Sequence, residues 1–360
     1  MIEEGLTMRK ILIKTTSLAV VMMLLLTGCG CSGRSSLQKY SGSFFDCFDT
    51  VITVYGYAEN KSEFDAFSAA VHEQFSQLHE QFDAYHAYEG VNNVYTINQK
   101  AGIEPVKVGN ELFDLIKRSK ELYGQTGGKV NVALGAVLDV WRRYRDLATK
   151  DPNNAVLPDI KELSMAAQHI DINAVELNEQ EQTVYLTDRH MSLDFGAVAK
   201  GYACQIVKDT LVSQQYDSFV ISAGGNVVTA GLDTAQESDW GVGIQNPDLQ
   251  TAGDIVDTVF VSGQSVVTAG SYQRYFTVDG VRYHHIIDPA TLMPASHFES
   301  VTVICEDSML ADYMATTLFI LPAQQAMALA ENTPELEAVW IDRTGAITYT
   351  SGYPDYSKTY

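Results

Sequence analysis

From about residue 170 onward the chain is written as short apolar runs cut by turn residues, and this constrains its fold more than any other feature. Residues 175–177 and 184–187 read as one hairpin, and residues 219–222 and 227–230 flank a Gly224-Gly225 turn. Residues 256–262, 266–269, 276–278 and 283–287 follow as strands. The last two are joined by Asp279-Gly280, a pair suited to the left-handed backbone of a tight hairpin. Residues 301–305, 338–341 and 346–350 add strands around helices at 308–321 and 323–331. Upstream the period changes from 2 to 3.6. After a strand at 48–57, residues 62–82 carry Phe64, Phe67, Val71, Phe75, Leu78 and Phe82 on one helical face. Two more helices are expected, at 111–123 (capped by Asn110, stopped at Gly124) and at 133–145, before a polar loop at 147–158. Helices and hairpins coexist without βαβ alternation, which is an α+β pattern of antiparallel sheets and packed helices.

The 360 residues suffice for one large domain with ample core, and no composition shift divides them. A formal charge of -21 with no basic stripe excludes nucleic acid as a partner. At the N-terminus, Arg9, Lys10 and Lys14 precede an apolar run at 18–26 that is short for a membrane span. A transmembrane anchor is one reading. The other rests on Leu26-Thr27-Gly28-Cys29, which resembles a bacterial lipobox with Cys29 as the lipidated first residue of the mature chain. Residues 1–28 are then a signal peptide, and residues 29–43 a flexible tether to a cell membrane, on its extracytoplasmic face. Cys31, Cys47, Cys204 and Cys305 show neither a disulfide framework nor zinc-like spacing, and Cys204 and Cys305 read as buried packing residues.

Three segments carry candidate chemistry. Asp194-Phe195-Gly196-Ala197-Val198-Ala199-Lys200-Gly201-Tyr202 places a carboxylate, two glycines and a lysine at the start of a helix extending to residue 212. Free N–H groups at a helix start favour a phosphate-bearing ligand. Asp312 and Thr316 lie one turn apart on the helix at 308–321. They are hard oxygen donors of the kind Mg²⁺ takes, or else a surface Asp and a Thr bonding its own backbone. Because that helix is otherwise apolar, Asp312 is expected close to a buried face, where a carboxylate needs a cation or several donors. His285 and Asp288 offer acid/base groups, with Arg274 as an anion clamp, or else form a plain Asp-Pro turn with surface histidines. Ala223-Gly224-Gly225-Asn226 is either a place of close ligand approach or a tight turn.

These elements occur in a familiar order. Residues 194–202 resemble the D-[LF]-G-[AG]-x-A-K-G-Y signature of the ApbE family, the FAD:protein FMN transferases. Ser222-Ala223-Gly224-Gly225-Asn226 is similar to that family's S-x-G-G-[ND] turn, and residues 268–275 to T-S-G-x-Y-x-R-[YF]. Residues 285–291 resemble H-I-I-D-P-x-T-G without its glycine, and Ala311-Asp312-Tyr313-Met314-Ala315-Thr316 resembles A-D-x-x-A-T. Phe48-Asp49-Thr50, Tyr85, Asn98 and residues 126–131 resemble its looser flavin-side segments.

The resemblance implies a single ApbE-like (T-fold-like) domain over 44–350, followed by a C-terminal tail at 351–360. It implies Mg²⁺-dependent transfer of FMN from FAD to a threonine hydroxyl of an extracytoplasmic protein, such as a membrane redox-complex subunit, with release of AMP. The metal would sit on the Ala197 carbonyl, Asp312 and Thr316. Phe48, Tyr85, Lys129, Val130, Asn131, Asp194, Lys200 and Ile286 would hold FAD, and His285 and Asp288 would serve catalysis. An FAD pyrophosphatase giving FMN and AMP would use the same metal and phosphate cradle. The other alternative is a non-catalytic tethered flavin-binding lipoprotein, against which Asp312, Thr316 and Lys200 count, since binding alone requires no metal beside the diphosphate. Three positions depart from the family pattern: Asn131 stands for Asp, Ala269 for Ser, and Leu292 for the glycine after Asp-Pro-x-Thr. Asn131 is expected to make a neutral ligand contact, and Leu292 to alter the turn type.

Overall fold

The computed structural model describes residues 37–248 and 255–360. The expected signal peptide, Cys29 and Cys31 lie outside the described residues. Within them, no helix is long and apolar enough to cross a membrane.

The strands are β1 (Gln38–Phe44), β2 (Ile52–Ala58), β3 (Val106–Lys107), β4 (Val175–Asn178), β5 (Thr183–Leu186), β6 (Phe219–Ala223), β7 (Asn226–Ala230) and β8 (Trp240–Gln245). Next come β9 (Ile255–Val261), β10 (Ser265–Gly270), β11 (Tyr275–Val278), β12 (Val281–His284), β13 (Phe298–Cys305), β14 (Glu337–Asp342) and β15 (Ile347–Tyr349). The helices are α1 (Lys61–Phe82), α2 (Val94–Gln99), α3 (Asn110–Gln125), α4 (Gly135–Lys150), α5 (Ile160–Ala166), α6 (Ala199–Ser213), α7 (Ser308–Ile320) and α8 (Ala323–Glu331).

The frame is an eight-stranded antiparallel sheet in the order β1-β2-β6-β7-β10-β13-β14-β15. One face packs on helices: Val54, Ile221 and Val228 share a core with α1, α3 and α6, while Val267, Val301, Val303 and Trp340 meet α7 and α8. The opposite face, with Val220, Val227, Val266, Ile304 and Val339, is covered by the β8–β9 hairpin. Covered on both sides, β6 and β7 are buried at every residue, which explains why their apolar residues do not alternate with exposed polar ones. The β11–β12 hairpin turns at Asp279 and Gly280, with φ of 49° and 79°, as a two-residue turn of this hand demands. It packs with α4 in a separate cluster around Trp141.

Several expected boundaries move. Residues 38–43, read as tether, belong to β1, which pairs with β2 from Gln38↔Ala58 to Phe44↔Ile52 and lays Tyr40 and Phe44 on α1. Its Gly and Ser mark an edge strand. The expected tail is part of the fold: Tyr353 is buried, and with Ser357 and Thr359 it donates to the buried Asp257. The strand expected at 48–57 starts only at Ile52, because Phe48 and Asp49 adopt φ of 54° and 50°. Gly109, not Asn110, caps α3, which runs through Gly124 to Gln125. The loop expected from 147 starts after Lys150, and β12 ends at His284.

Candidate functional site

The site is built where α6 begins against the middle of α7. Residues 191–198 before α6 are irregular, and Asn98 holds them by pairing with Leu193 as a strand would. Its amide donates to the Leu193 carbonyl at 3.0 Å and accepts the Leu193 N–H at 2.7 Å. Asp194 follows, with Oδ1 accepting the Gly196 N–H at 2.8 Å and Oδ2 the Tyr85 hydroxyl at 2.6 Å.

At Gly201 the two helices touch. A Cβ there would lie 2.3 Å from the Ser308 carbonyl oxygen and 2.5 Å from Asp312 Cβ, so only glycine permits this approach. The approach redirects one hydrogen bond. The Gly201 N–H, which in an ordinary helix start would reach the Ala197 carbonyl, donates instead to Asp312 Oδ2 at 2.8 Å. Among the described residues no group takes its place on the Ala197 oxygen.

Asp312 is 5% exposed inside a helix that is apolar nearly all round. Burial pushes its carboxyl above the usual range, against the pull of Lys200 (Nζ 3.9 Å from Oδ2) and the Gly201 N–H. The Asn226 amide lies near enough to favour the ionised form, yet its buried Nδ2 is without a hydrogen-bond partner. Thr316, one turn on, does not back-bond. Thr126, Thr210 and Thr333 all donate to the carbonyl four residues earlier, whereas the half-buried Thr316 hydroxyl bonds nothing among the described residues. An uncommitted carbonyl, hydroxyl and carboxylate oxygen, with an orphaned amide beside them, are a donor set chemically suited to a hard divalent cation.

The opposite wall comes from the β6–β7 turn, at the end of two interior strands of the sheet, and from the β12–β13 connection. Gly224 has φ of +55°, and a Cβ on it would meet Thr50 Oγ1 at 2.0 Å, so this turn seats the loop before β2. Arg274 donates to the Asp49 carbonyl at 2.9 Å. The neighbouring histidines divide their tasks. His284 is buried, donating to the Ala295 carbonyl and accepting the Ile286 N–H, which makes it structural. His285 is exposed, and its Nδ1 lies 3.2 Å from the Arg274 carbonyl. A carbonyl only accepts, so the proton sits on Nδ1 and the Nε2 lone pair is free. Desolvation by the surrounding protein, with the charges of Arg274, His284 and Lys200, lowers this imidazole and favours its neutral form, an effect that its exposure to solvent tempers.

Not every expected residue faces this space. Asp288 makes no hydrogen bond to His285. It caps its own turn through Ala290 and sits 3.7 Å from Lys129. Asn131 is buried and spent internally, donating to the Ile170 carbonyl at 2.8 Å and accepting the Ala133 N–H at 2.9 Å, so it offers no neutral contact to a ligand. Val130 is buried with its carbonyl on the Tyr313 hydroxyl. Ile286 is buried as well, its N–H on His284 and its carbonyl on Ala295. Leu292 adopts φ of +61°, the conformation glycine favours, so the left-handed turn position is kept despite the side chain. Phe48 is half-buried against Phe75, His79 and Phe82, while Tyr85 remains exposed. Arg142, 4.1 Å over the Tyr85 ring, was not signalled by sequence, since an arginine on a helix surface carries no distinguishing pattern.

Comparison with known proteins matches this geometry to one group. The model of the ApbE family matches residues 48–340. An FAD:protein FMN transferase of Treponema pallidum is 32% identical over 349 residues, covering 93% of each chain. One from Klebsiella pneumoniae is 33% identical over 261 residues, covering 72% of this chain and 78% of the relative. Among solved structures, the ApbE protein of Thermotoga maritima superposes with a TM-score of 0.77 at 26% identity, covering 89% of this chain and all of the other.

Proposed function

The chain belongs to the ApbE family, and from that premise we propose that it is an FAD:protein FMN transferase, moving FMN from FAD to a threonine hydroxyl of an acceptor protein and releasing AMP. The observation that carries this reading is the set of uncommitted oxygens around the buried Asp312. A carboxylate with one hydrogen bond inside an apolar helix costs stability, so a cation and a diphosphate are the natural reason for it. Mg²⁺ is the ion we infer, held by the Ala197 carbonyl, Asp312 and Thr316. When bound it neutralises charge that develops on the diphosphate oxygens.

The protein's own groups supply the rest. Lys200 presents its ammonium to the same diphosphate from the start of α6. Asp194 is held by Tyr85 and Gly196, ready to accept hydrogen bonds from FAD, and Tyr85 offers an aromatic face. His285, with its proton on Nδ1, accepts the acceptor threonine's proton at Nε2 as the oxygen attacks phosphorus. The new ester bond joins that oxygen to the FMN phosphate, the diphosphate P–O bond breaks, and AMP leaves. Asp288 pairs with Lys129 and so positions that lysine's charge at the rim. With Cys29 lipidated, the enzyme would act at the outer face of a bacterial cell membrane, on a partner such as a membrane redox-complex subunit.

Incubation with FAD, Mg²⁺ and a threonine-bearing acceptor should give covalent flavin, visible by mass and in-gel fluorescence. His285→Gln should lower turnover by about 10²–10⁴-fold with little change in FAD affinity. AMP and free FMN without adduct would point to the pyrophosphatase. FAD binding without turnover, unaffected by Asp312→Ala, would remove both enzymatic readings.

A further inference from the structure

On the far side of the loop before β2, three different ligand chemistries meet. Asp46, Cys47 and His72 place a carboxylate oxygen, a thiol sulfur and an imidazole nitrogen within 4.8 Å of one another. Both Asp46 oxygens lie 2.9 Å from His72 Nε2, and Cys47 Sγ is 3.9 Å from Asp46 Oδ1. Cys47 is 1% exposed while Asp46 is exposed and His72 half-buried, so the sulfur forms the floor and the other two the rim. Phe44, its ring centroid 4.5 Å from that of His72, sets the angle of the imidazole. Ser76 Oγ, 3.4 Å from the sulfur, donates to the His72 carbonyl and ties the cluster to α1.

We propose that Asp46, Cys47 and His72 form a binding site for a thiolate-accepting divalent transition cation of the Zn²⁺ class, separate from the oxygen cluster around Asp312. Sulfur and imidazole donors suit Zn²⁺ and its neighbours, whereas Mg²⁺ demands oxygens. Tetrahedral Zn²⁺ with these ligands separates N, O and S donors by roughly 3.4–3.6 Å. Asp46 and His72 therefore part by about 0.5 Å as the ion takes the place of the proton between them. The Cys47 thiol gives its proton to solvent, and water completes the fourth position. Cys47 directly precedes Phe48, which packs on Phe75, His79 and Phe82 of α1, and Asp49, whose carbonyl accepts from Arg274, so the cation would brace that loop against α1.

The test uses the full-length chain, stripped by chelator and titrated with Co²⁺ while thiolate-to-cobalt and d–d absorption are recorded. The expected result is a thiolate band saturating at one ion per chain and displaced by stoichiometric Zn²⁺. It should be absent in Cys47→Ser and retained in Asp312→Asn, with binding weakened at least about tenfold in His72→Gln. No uptake, a spectrum without the thiolate band, or a band surviving in Cys47→Ser overturns the proposal. Circular dichroism of each variant establishes that it is folded, and His72→Gln leaves the thiol in place should Cys47→Ser fail to fold.

Discussion

Replacing Asp312 by Asn tests whether this carboxylate exists for the ligand or for the fold. Asn keeps the shape and still accepts the Gly201 N–H, now at 2.8 Å, but carries no charge. In the parent, Lys200 at 3.9 Å contributes about 4 kcal/mol of Coulomb attraction at an effective dielectric of 20. Desolvating a carboxylate buried to 5% exposure costs several kcal/mol, and a single further hydrogen bond does not close the gap. Lys200, 23% exposed, keeps water when its partner is lost. In chelator, Asp312→Asn should therefore be more stable than the parent by about 1–3 kcal/mol. With Mg²⁺ at a hundredfold over its Kd, the parent should gain about 2.7 kcal/mol and the variant nothing, which removes or reverses the order. Urea unfolding followed by tryptophan fluorescence, in chelator and in Mg²⁺, reads both. If Asp312→Asn is instead less stable in chelator by about 3 kcal/mol or more, the carboxylate is a structural ion-pair member and the reasoning fails.

Three further outcomes follow from the same contacts. Gly201→Ala forces a methyl against the Ser308 carbonyl and Asp312, and should cost about 1–3 kcal/mol in urea unfolding despite alanine's better helix propensity. Asn131→Asp replaces the donor to Ile170 by an acceptor facing a carbonyl, and should destabilise by about 1–3 kcal/mol while bringing no gain in FAD affinity. Asp83 is pushed up by burial, but the Tyr85 N–H, His86 and Tyr88 together hold it below the usual carboxylate range. Its contribution is thus present above the unfolded pKa of about 3.9 and lost as pH falls through the lower folded value. The stability difference between parent and Asp83→Asn should accordingly shrink between pH 6 and pH 3.

Most elements were legible because their signals are local. The face of α1 repeats within one helix, and the Asp279-Gly280 turn and the double glycine at 224–225 each encode a left-handed backbone in two adjacent residues. Edges were harder. Residues 38–43 match a tether in their Gly and Ser content, and only pairing with β2 makes them a strand. The Phe48–Asp49 turn hides inside an alternating run, since Phe48 has no preference for left-handed backbone and Asp49 has no glycine beside it to mark a turn. Asn131, Val130 and Ile286 stand in motifs that point to a ligand, but their hydrogen-bond partners Ile170, Tyr313 and Ala295 depend on tertiary contacts that spacing does not encode.

By itself the order of residues determined the α+β class, the helix carrying Asp312 and Thr316 one turn apart, and the glycine at 201, since each depends on neighbours along the chain. Tertiary structure alone decided what those residues are free to do. Only the contact of α6 with α7 takes the Gly201 N–H away from Ala197, and only burial in that contact leaves Asp312 short of partners and the Thr316 hydroxyl unbonded. The reason is physical: a spacing sets which face a side chain is on, but the cost of leaving a polar atom unpaired depends on the protein packed around it.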